Sequence, residues 1–197
     1  WYRSRGLGDV YKRQGHVVVS IYVNPTQFND AADFEAYPNT REMDLRMAES
    51  AGADAVVFPQ PHESYPGGVP QRVPPVDYGG LTALWEAAQR PGHFDGVVAV
   101  VRALFRQVEP NRAYFGEKDW QQLAVVSELV RREFPDLTIV PVPTRREEDG
   151  LAMSSRNVRL DERERGGASM LHAALKAVAA ATETVTEVCL LYTSPSP

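Results

Sequence analysis

The sequence of 197 residues predicts an α/β fold in which a mostly parallel sheet carries helices on its faces. Two observations support this class. Segments with the spacing of strands and of helices alternate along the chain. The strand-like segments are short apolar runs, as expected for strands that a parallel sheet buries on both faces.

Four segments have the composition of strands. The first, Val17–Val23, is rich in β-branched residues, and Asn24-Pro25 stops it. The others are Asp54–Phe58, Ala113–Phe115 and Leu137–Val140. Prolines stand beside most of these segments, as is typical of strand boundaries.

Helical spacing recurs between and after these strands. Thr40 is a candidate N-cap for a helix that runs through Ala51 and ends at Gly52. Further helices are predicted from Phe94 to Val108, from Asp119 to Phe134 and from about Glu162 to Ala181. Residues 59–80 are rich in Pro and Gly and lack periodicity, so we expect a loop or several short pieces there.

Composition excludes several classes of protein. The formal net charge of −5 argues against a nucleic-acid-binding protein, which normally carries a basic face. No apolar run approaches the roughly 18 residues of a membrane span. No apolar stretch follows a basic start, so a secretory signal is not indicated. We therefore expect a cytoplasmic protein without a nucleic-acid or membrane partner.

The two ends of the chain are related to each other. Asp9–Gln14 can be encoded by a DNA segment whose reverse complement, read one base in, encodes Cys189–Ser194. The segment resembles a transposon-end adaptor used to prepare sequencing libraries. We therefore expect residues 1–14 and 189–197 to be artificial and exclude them from the fold prediction. Cys189 is the only cysteine, so we expect no disulfide or thiol chemistry in the remainder.

Two polar motifs directly follow predicted strands, at the sheet edge where parallel sheets bind ligands. In Asn24–Phe28, Asn24 and Gln27 offer neutral groups for a hydroxyl or a carboxylate, although an Asn-Pro turn is the simpler interpretation. In Phe115–Gln122, a glycine before a helix start and the charge of Lys118 favour a phosphate. The alternative there is an ordinary turn with solvated charges.

Two further motifs precede or open helices. Asp149–Asn157 contains two hydroxyls followed by the guanidinium of Arg156, a set that suits a phosphate or, equally, a surface turn. His93–Val97 opens a helix, where His93 either binds a ligand or, more simply, caps the turn. Each motif taken alone leaves its alternative open.

Taken together and in this order, with Tyr37–Thr40 between them, the motifs resemble those of the pantothenate synthetases, which are pantoate–β-alanine ligases of the nucleotidylyltransferase superfamily. The resemblance covers nearly all of residues 17–175. It implies a Rossmann-like doubly wound parallel sheet whose first strand is missing, with an ATP and pantoate domain at residues 15–140. Residues 141–188 would form the start of a smaller C-terminal α/β lid domain.

The resemblance implies a reaction in two steps. The pantoate carboxylate attacks the α-phosphate of ATP, so that pyrophosphate leaves and pantoyl adenylate forms. The amine of β-alanine then attacks the activated carbonyl, which gives pantothenate, on the route to coenzyme A, and releases AMP. ATP is a co-substrate, Mg²⁺ assists, and the complete protein is expected to be a homodimer.

The resemblance also assigns residues by motif. ATP would contact Gly116, Glu117, Lys118, Asp119, Arg145, Met153, Ser154, Ser155 and Arg156. Of these, Lys118, Ser154 and Arg156 would be catalytic. Pantoate would be held by Gln27 and Gln122, and β-alanine by Gln27 and Asn24. Asp44 would help to hold Mg²⁺.

The sequence departs from the family in two ways that matter. A His-x-Gly-His motif that binds ATP phosphates in the family does not occur in this sequence, so we expect this truncated chain itself to be inactive. Arg145 stands where the family usually has a small apolar residue. Two alternatives remain: a non-catalytic nucleotide-binding fragment, or a related adenylyl-transferring enzyme that acts on another acid. The pair Gln27 and Gln122 favours pantoate.

Overall fold

The computed structural model describes residues 15–28, 34–35, 37, 40–61 and 73–181. The chain divides into two compact units. The first takes in the chain up to Phe115 together with Asp119–Val140, and the second contains Gly116–Lys118 and the chain from Pro141 onward. The adaptor-like ends, with Cys189, lie outside the described residues, so their artificial origin stays a prediction. The domain limits at 15–140 and 141–188 likewise stay a prediction.

The first two strands of the described chain pair in parallel. β1 (Val18–Ser20) lies beside β2 (Ala55–Val57), with Val19 opposite Val56. Parallel strands need a crossover connection, and the helix α1 (Arg41–Ser50) lies within it. This β-α-β arrangement is the unit that the alternating sequence pattern predicts.

The first strand is shorter and less buried than the sequence suggests. The segment Val17–Val23 is expected to be a strand buried on both faces, but the ladder with β2 covers only Val18–Ser20. Burial alternates along it: Val19 is 9% exposed and Val18 is 40% exposed. The expectation of burial on both faces is therefore wrong for these residues.

The helix α1 begins after Thr40, but Thr40 does not cap it through its side chain. Its hydroxyl instead donates to the carboxylate of Asp44, with both oxygens at 3.3 Å. The hydroxyl of Thr40 is therefore bonded to the Asp44 side chain, one turn away, and to none of the backbone N–H groups at the start of the helix. Gly52 follows the helix with φ of 87°, as expected for a residue that ends a helix.

The core of the first unit is formed largely by two helices, α4 (His93–Val108) and α5 (Trp120–Glu133). Val98, Val125 and Leu129 are completely buried between them and their neighbours. Their apolar residues recur at helical spacing, so these two helices are the elements that the sequence predicts best.

Part of the stretch between residues 59 and 92 is helical. Two single-turn helices, α2 (Gly80–Ala83) and α3 (Glu86–Gln89), follow a segment without regular secondary structure that includes Tyr78. The ring of Tyr78 is buried, and the guanidinium of Arg132 lies 4.4 Å from its centre. Burial raises the pKa of the Tyr78 hydroxyl above its usual value. Of the loop expected at residues 59–80, the structure describes 59–61 and 73–80, and Tyr78 in it belongs to the core. The helices α2 and α3 lie almost entirely beyond that stretch and were not predicted.

The remaining described strands form a second pair, β3 (Arg112–Gly116) and β4 (Thr138–Val142). Each is longer than its predicted counterpart, and β4 runs through Pro141, which a sheet edge tolerates. Within the described residues the strands make two pairs where one doubly wound sheet was predicted.

The second unit contains the longest described helix, α6 (Glu162–Ala181). Asp161 and Glu164 form a reciprocal cap at its start: the Glu164 N–H donates to Asp161 at 2.7 Å, and the Asp161 N–H donates to Glu164 at 3.0 Å. No helix among the described residues is long and apolar enough to cross a membrane.

An ion pair on the α4–α5 surface supports a prediction about acid stability. Arg102 donates two hydrogen bonds to the Glu133 carboxylate, at 2.6 and 2.7 Å, and these hold the pKa of Glu133 below its usual value of 4.5. A lowered folded-state pKa stabilises the fold above the unfolded value and loses that effect as the pH falls below it.

We predict that Glu133→Gln lowers the free energy of unfolding by about 1 kcal/mol at pH 7, since the pair lies near the surface. The difference from the wild-type chain should shrink as the pH falls below 4.5. Urea unfolding at several pH values between 7 and 3 measures it, with Glu49→Gln as an exposed control. A difference that stays constant over this range would contradict the assignment.

Candidate functional site

The Asn24 side chain joins a turn to the helix α4. Asn24 is 2% exposed and precedes a 3₁₀ turn formed by Pro25–Gln27. Its amide oxygen accepts hydrogen bonds from the backbone N–H of Thr26 at 3.3 Å and the Thr26 hydroxyl at 3.0 Å. Its amide nitrogen donates to the Gly96 carbonyl at 3.2 Å. The Asn-Pro turn therefore exists, and contact of Asn24 with β-alanine stays a prediction.

Gly96 allows this turn to approach the helix. A Cβ added at Gly96 would lie 2.4 Å from the Thr26 carbonyl oxygen, far inside van der Waals contact. Only glycine fits at this position without displacing the turn that carries Gln27. The sequence contained the signal, a glycine within a helical pattern, but the close approach of the two segments was not predicted.

The two glutamines at the start of α5 differ in their surroundings. Gln121, which the sequence reasoning did not select, is 9% exposed. Its nitrogen donates to the carbonyls of Leu81 at 2.9 Å and Leu84 at 2.8 Å, and its oxygen accepts the N–H of Glu86 at 3.0 Å. The spacing of Gln121 from Val125 and Leu129 places it on the buried face, and this spacing could have revealed its role.

Gln122 and Gln27 are the residues predicted to bind pantoate. Gln122 is half-buried at the start of α5, and Gln27 ends the 3₁₀ turn that Asn24 caps. The side chain of Gln27 lies outside the described part of the structure. Both residues therefore sit on segments fixed to the first unit's core, while their contact with pantoate stays a prediction.

The predicted phosphate motif forms a short turn between β3 and α5. Glu117–Asp119 make a 3₁₀ turn in which Lys118 is exposed. Gly116 has open space around its Cα, since an added Cβ would meet nothing within 4 Å. Asp119 occupies the N-cap position of α5 without capping it through its side chain. The motif is accessible, and its contact with ATP stays a prediction.

The second unit holds the Asp149–Asn157 motif on a hairpin. Arg146 and Ala152 face each other in an antiparallel bridge, and the Met153 N–H donates to the Arg145 carbonyl at 2.9 Å. The hairpin turns at Gly150, whose φ of 90° favours glycine. Arg145 and Met153, both predicted to contact ATP, thus lie side by side.

The residues Ser154, Ser155 and Arg156 follow the hairpin directly. Ser155–Arg159 form a 3₁₀ turn, and the Ser154 hydroxyl caps it by accepting the Arg156 N–H at 3.2 Å. Within the turn, Asn157 donates to the carboxylate of Glu147 at 2.8 Å and to the Ala152 carbonyl at 3.1 Å. The structure therefore attaches the turn that carries Ser154, Ser155 and Arg156 to the hairpin through Asn157.

His93 opens α4 and is 7% exposed, with its ring edge against Phe94 at a centroid distance of 4.9 Å. The N-cap position itself belongs to Gly92, which has φ of 80°. His93 therefore packs at the helix start, and the capping residue there is its neighbour.

Asp44 is the predicted metal ligand. Its half-buried carboxylate accepts the Thr40 hydroxyl and lies in the first turn of α1. The described residues contain no group of three or more His, Cys, Asp or Glu side chains arranged to hold a metal ion. Proteins commonly bind Mg²⁺ through one or two carboxylates, and substrate phosphates supply further ligands. A single carboxylate such as that of Asp44 suits this kind of site.

Comparisons with known proteins identify the family. The sequence profile of the family described as Pantoate-beta-alanine ligase matches residues 8–193. A pantothenate synthetase from Bdellovibrio bacteriovorus is 51% identical over 164 residues, which is 83% of this chain and 64% of the relative. One from Rubrobacter xylanophilus is 49% identical over 169 residues, 84% of this chain and 58% of the relative. The chain thus spans about three fifths of the length of these curated relatives.

Solved structures agree with the sequence comparison. The crystal structure of pantothenate synthetase from Thermus thermophilus superposes with a TM-score of 0.80 at 47% identity, covering 92% of this chain and 67% of that one. A pantoate–β-alanine ligase from Francisella tularensis, solved in complex with β,γ-ATP and β-alanine, gives a TM-score of 0.77 at 36% identity, with 86% and 65% covered.

The fold is therefore the Rossmann-like α/β fold of the nucleotidylyltransferases, as the sequence predicts. More narrowly, the chain belongs to the pantoate–β-alanine ligase family.

We predict that Gly96→Ala lowers the free energy of unfolding by about 1–3 kcal/mol, because the added methyl group collides with the Thr26 carbonyl. Urea unfolding measures the change. Gly167→Ala is the matched control: its Cβ meets nothing within 4 Å in α6, where alanine stabilises a helix by up to about 1 kcal/mol. Equal effects of the two substitutions would contradict the proposed close approach.

Proposed function

We propose that this chain is part of an ATP-dependent ligase that condenses pantoate with β-alanine to give pantothenate. The observation that carries the proposal is the family match over residues 8–193, with relatives at about half identity that are named pantothenate synthetases. The Francisella tularensis ligase, solved with β,γ-ATP and β-alanine, supports the choice of co-substrates.

The reaction needs groups that stabilise negative charge. A pantoate carboxylate oxygen attacks the α-phosphorus of ATP, and the bond from that phosphorus to the β-phosphate bridging oxygen breaks, so pyrophosphate leaves. The β-alanine nitrogen then attacks the carbonyl carbon of pantoyl adenylate, loses a proton and displaces AMP. Both steps bring anionic groups together, so positive charge and positioning provide most of the rate enhancement.

We assign ATP to two accessible turns. Lys118, on the exposed turn Glu117–Asp119, would neutralise the phosphates, and Asp119 would hold the ribose. Further along the chain, Ser154 and Arg156 would hold phosphates, with Ser155, Met153 and Arg145 beside them. The 3₁₀ turn Ser155–Arg159 supports this assignment, because its cap and its Asn157 bonds hold the backbone in one conformation.

We assign the acid and the amine to the first unit. Gln27 and Gln122 would hold pantoate, and Gln27 with Asn24 would hold β-alanine. Neutral amides suit this task, since they bind hydroxyl and carboxylate groups without adding charge beside the phosphates. The support is geometric: Asn24 and Gly96 fix the turn of Gln27 on α4, and Gln122 lies in the first turn of the helix α5, which packs on α4.

We further propose that Asp44 contributes one carboxylate oxygen to Mg²⁺, which would balance phosphate charge when bound. The Thr40 hydroxyl orients that carboxylate and leaves further lone pairs for a cation. We also propose a cytoplasmic homodimer without nucleic-acid or membrane partners. The acidic net charge of −5 supports the absence of a nucleic-acid partner.

We predict that Lys118→Ala slows pantoyl adenylate formation by about 10²–10³-fold, because Lys118 would stabilise charge that grows as pyrophosphate departs. Gln122→Ala should instead weaken pantoate binding while leaving ATP affinity nearly unchanged. Calorimetric titration of this chain with each substrate gives the affinities. Single-turnover adenylate formation gives the rate in a chain that also carries the family's His-x-Gly-His segment.

Two exposed residues provide matched controls for this experiment. Lys176→Ala removes a positive charge from α6, and Gln107→Ala removes an amide from α4, and neither residue is assigned to a substrate. The assignment fails if Lys118→Ala forms adenylate at the normal rate. It also fails if Gln122→Ala weakens ATP more than pantoate. A chain that binds another carboxylic acid in preference to pantoate would point to a related adenylyl-transferring enzyme.

A further inference from the structure

Glu147 lies at the centre of the hydrogen bonds that shape the second unit's hairpin. Its backbone N–H donates to the Leu151 carbonyl at 2.8 Å, and its own carbonyl accepts the Gly150 N–H at 2.9 Å. These two bonds close the hairpin turn. The backbone of Glu147 is therefore tied to the residues that lead directly into Ser154.

The carboxylate of Glu147 divides its two oxygens between different partners. Oε1 accepts the side-chain N–H of Asn157 at 2.8 Å, and Oε2 accepts the Arg165 guanidinium at 2.6 Å. Arg165 also pairs with Asp149 at 2.7 Å. The side chains of Glu147 and Arg165 are 33% and 31% exposed, so water screens this network only in part.

The helix α6 supports the hairpin through two residues on one face. Arg165 and His172 are seven residues apart, which places them two turns apart on the same side of a helix. A Cβ added at Gly150 would lie 2.8 Å from Cδ2 of His172, so the imidazole packs directly against the hairpin turn. The hairpin is thus held at its turn by His172 and beside it by Arg165.

The network links that support to the predicted ATP residues. Asn157 belongs to the 3₁₀ turn Ser155–Arg159, and its amide reaches both Glu147 and the Ala152 carbonyl. A glutamine at position 147 would keep one oxygen to accept the Asn157 N–H, but an amide NH₂ donor would replace the oxygen that accepts from Arg165, so the charged hydrogen bond to Arg165 would be lost. Because Ser154 and Arg156 flank this connection, their backbone would lose its fixed position relative to α6.

We propose that Glu147 is a positioning residue for ATP binding: through Asn157 and Arg165 it holds the turn that carries Ser154, Ser155 and Arg156. The inference rests on the proposed function, in which these residues receive the ATP phosphates. Glu147 itself is an anion committed to Asn157 and Arg165, so it acts through the turn and makes no contact with a phosphate.

The test compares Glu147→Gln with Glu148→Gln in the full 197-residue chain. Both substitutions remove one negative charge, but Glu148 is exposed and takes no part in the described network. Three quantities are measured: hydrogen exchange of the amides in residues 151–157, the affinity for MgATP, and the affinity for pantoate.

We expect Glu147→Gln to speed exchange in residues 151–157 and to weaken MgATP binding, each by about tenfold, the size of one lost charged hydrogen bond. Pantoate affinity and exchange in α5 should stay within about twofold of the wild-type chain, and Glu148→Gln should change none of the three quantities. The selective loss separates positioning from a general loss of structure, which would lower both affinities together.

Two results overturn the inference. Either exchange in residues 151–157 matches that of Glu148→Gln, or MgATP affinity is unchanged although exchange has increased. A wild-type chain that binds neither MgATP nor pantoate would count against the proposed function. The exchange comparison would then still decide whether Glu147 orders the turn.

Discussion

The packing of α4 against α5 is the interaction on which the first unit depends. Val98 on α4 and Val125, Val126 and Leu129 on α5 are completely buried, and the other core residues pack around them. Burial of such side chains contributes about 1.5–3 kcal/mol each, far more than an exposed ion pair contributes. The rigid pair of helices therefore provides the frame to which the polar segments of this unit attach.

Two buried amide side chains, those of Asn24 and Gln121, attach other segments of the first unit to this frame. Asn24 sends its amide nitrogen to the Gly96 carbonyl, and the missing side chain of Gly96 lets the turn of Gln27 approach. Gln121 holds α2 and α3 from inside through three hydrogen bonds to their backbone. Trp85, with φ of 55°, lies between two of those bonded groups, so the amide of Gln121 also stabilises a strained backbone position.

Much of this could be predicted from the sequence, because helical periodicity is local information. The apolar spacing of α4 and α5 and the Gly-Lys turn before α5 appear in consecutive residues. The contact between Thr26 and Gly96 could not be predicted in this way, since it joins segments 70 residues apart. The choice of Gln121 as the structural amide and Gln122 as the candidate ligand-binding one depends on which face of α5 is buried. Likewise, the sequence does not reveal that the Thr40 hydroxyl donates to Asp44 and forms no cap at the start of α1.

The central proposal is that pantoate binds at Gln27, on the turn that Asn24 attaches to α4, and at Gln122, in the first turn of α5. Amide chemical shifts of the chain, recorded while pantoate is added without nucleotide, test it directly. The account predicts saturable shifts at Thr26, Gln27, Gln122 and Gly96, with residues 145–157 nearly unchanged. Saturable shifts confined to residues 145–157, or no saturable shift at Gln27 and Gln122, would contradict it.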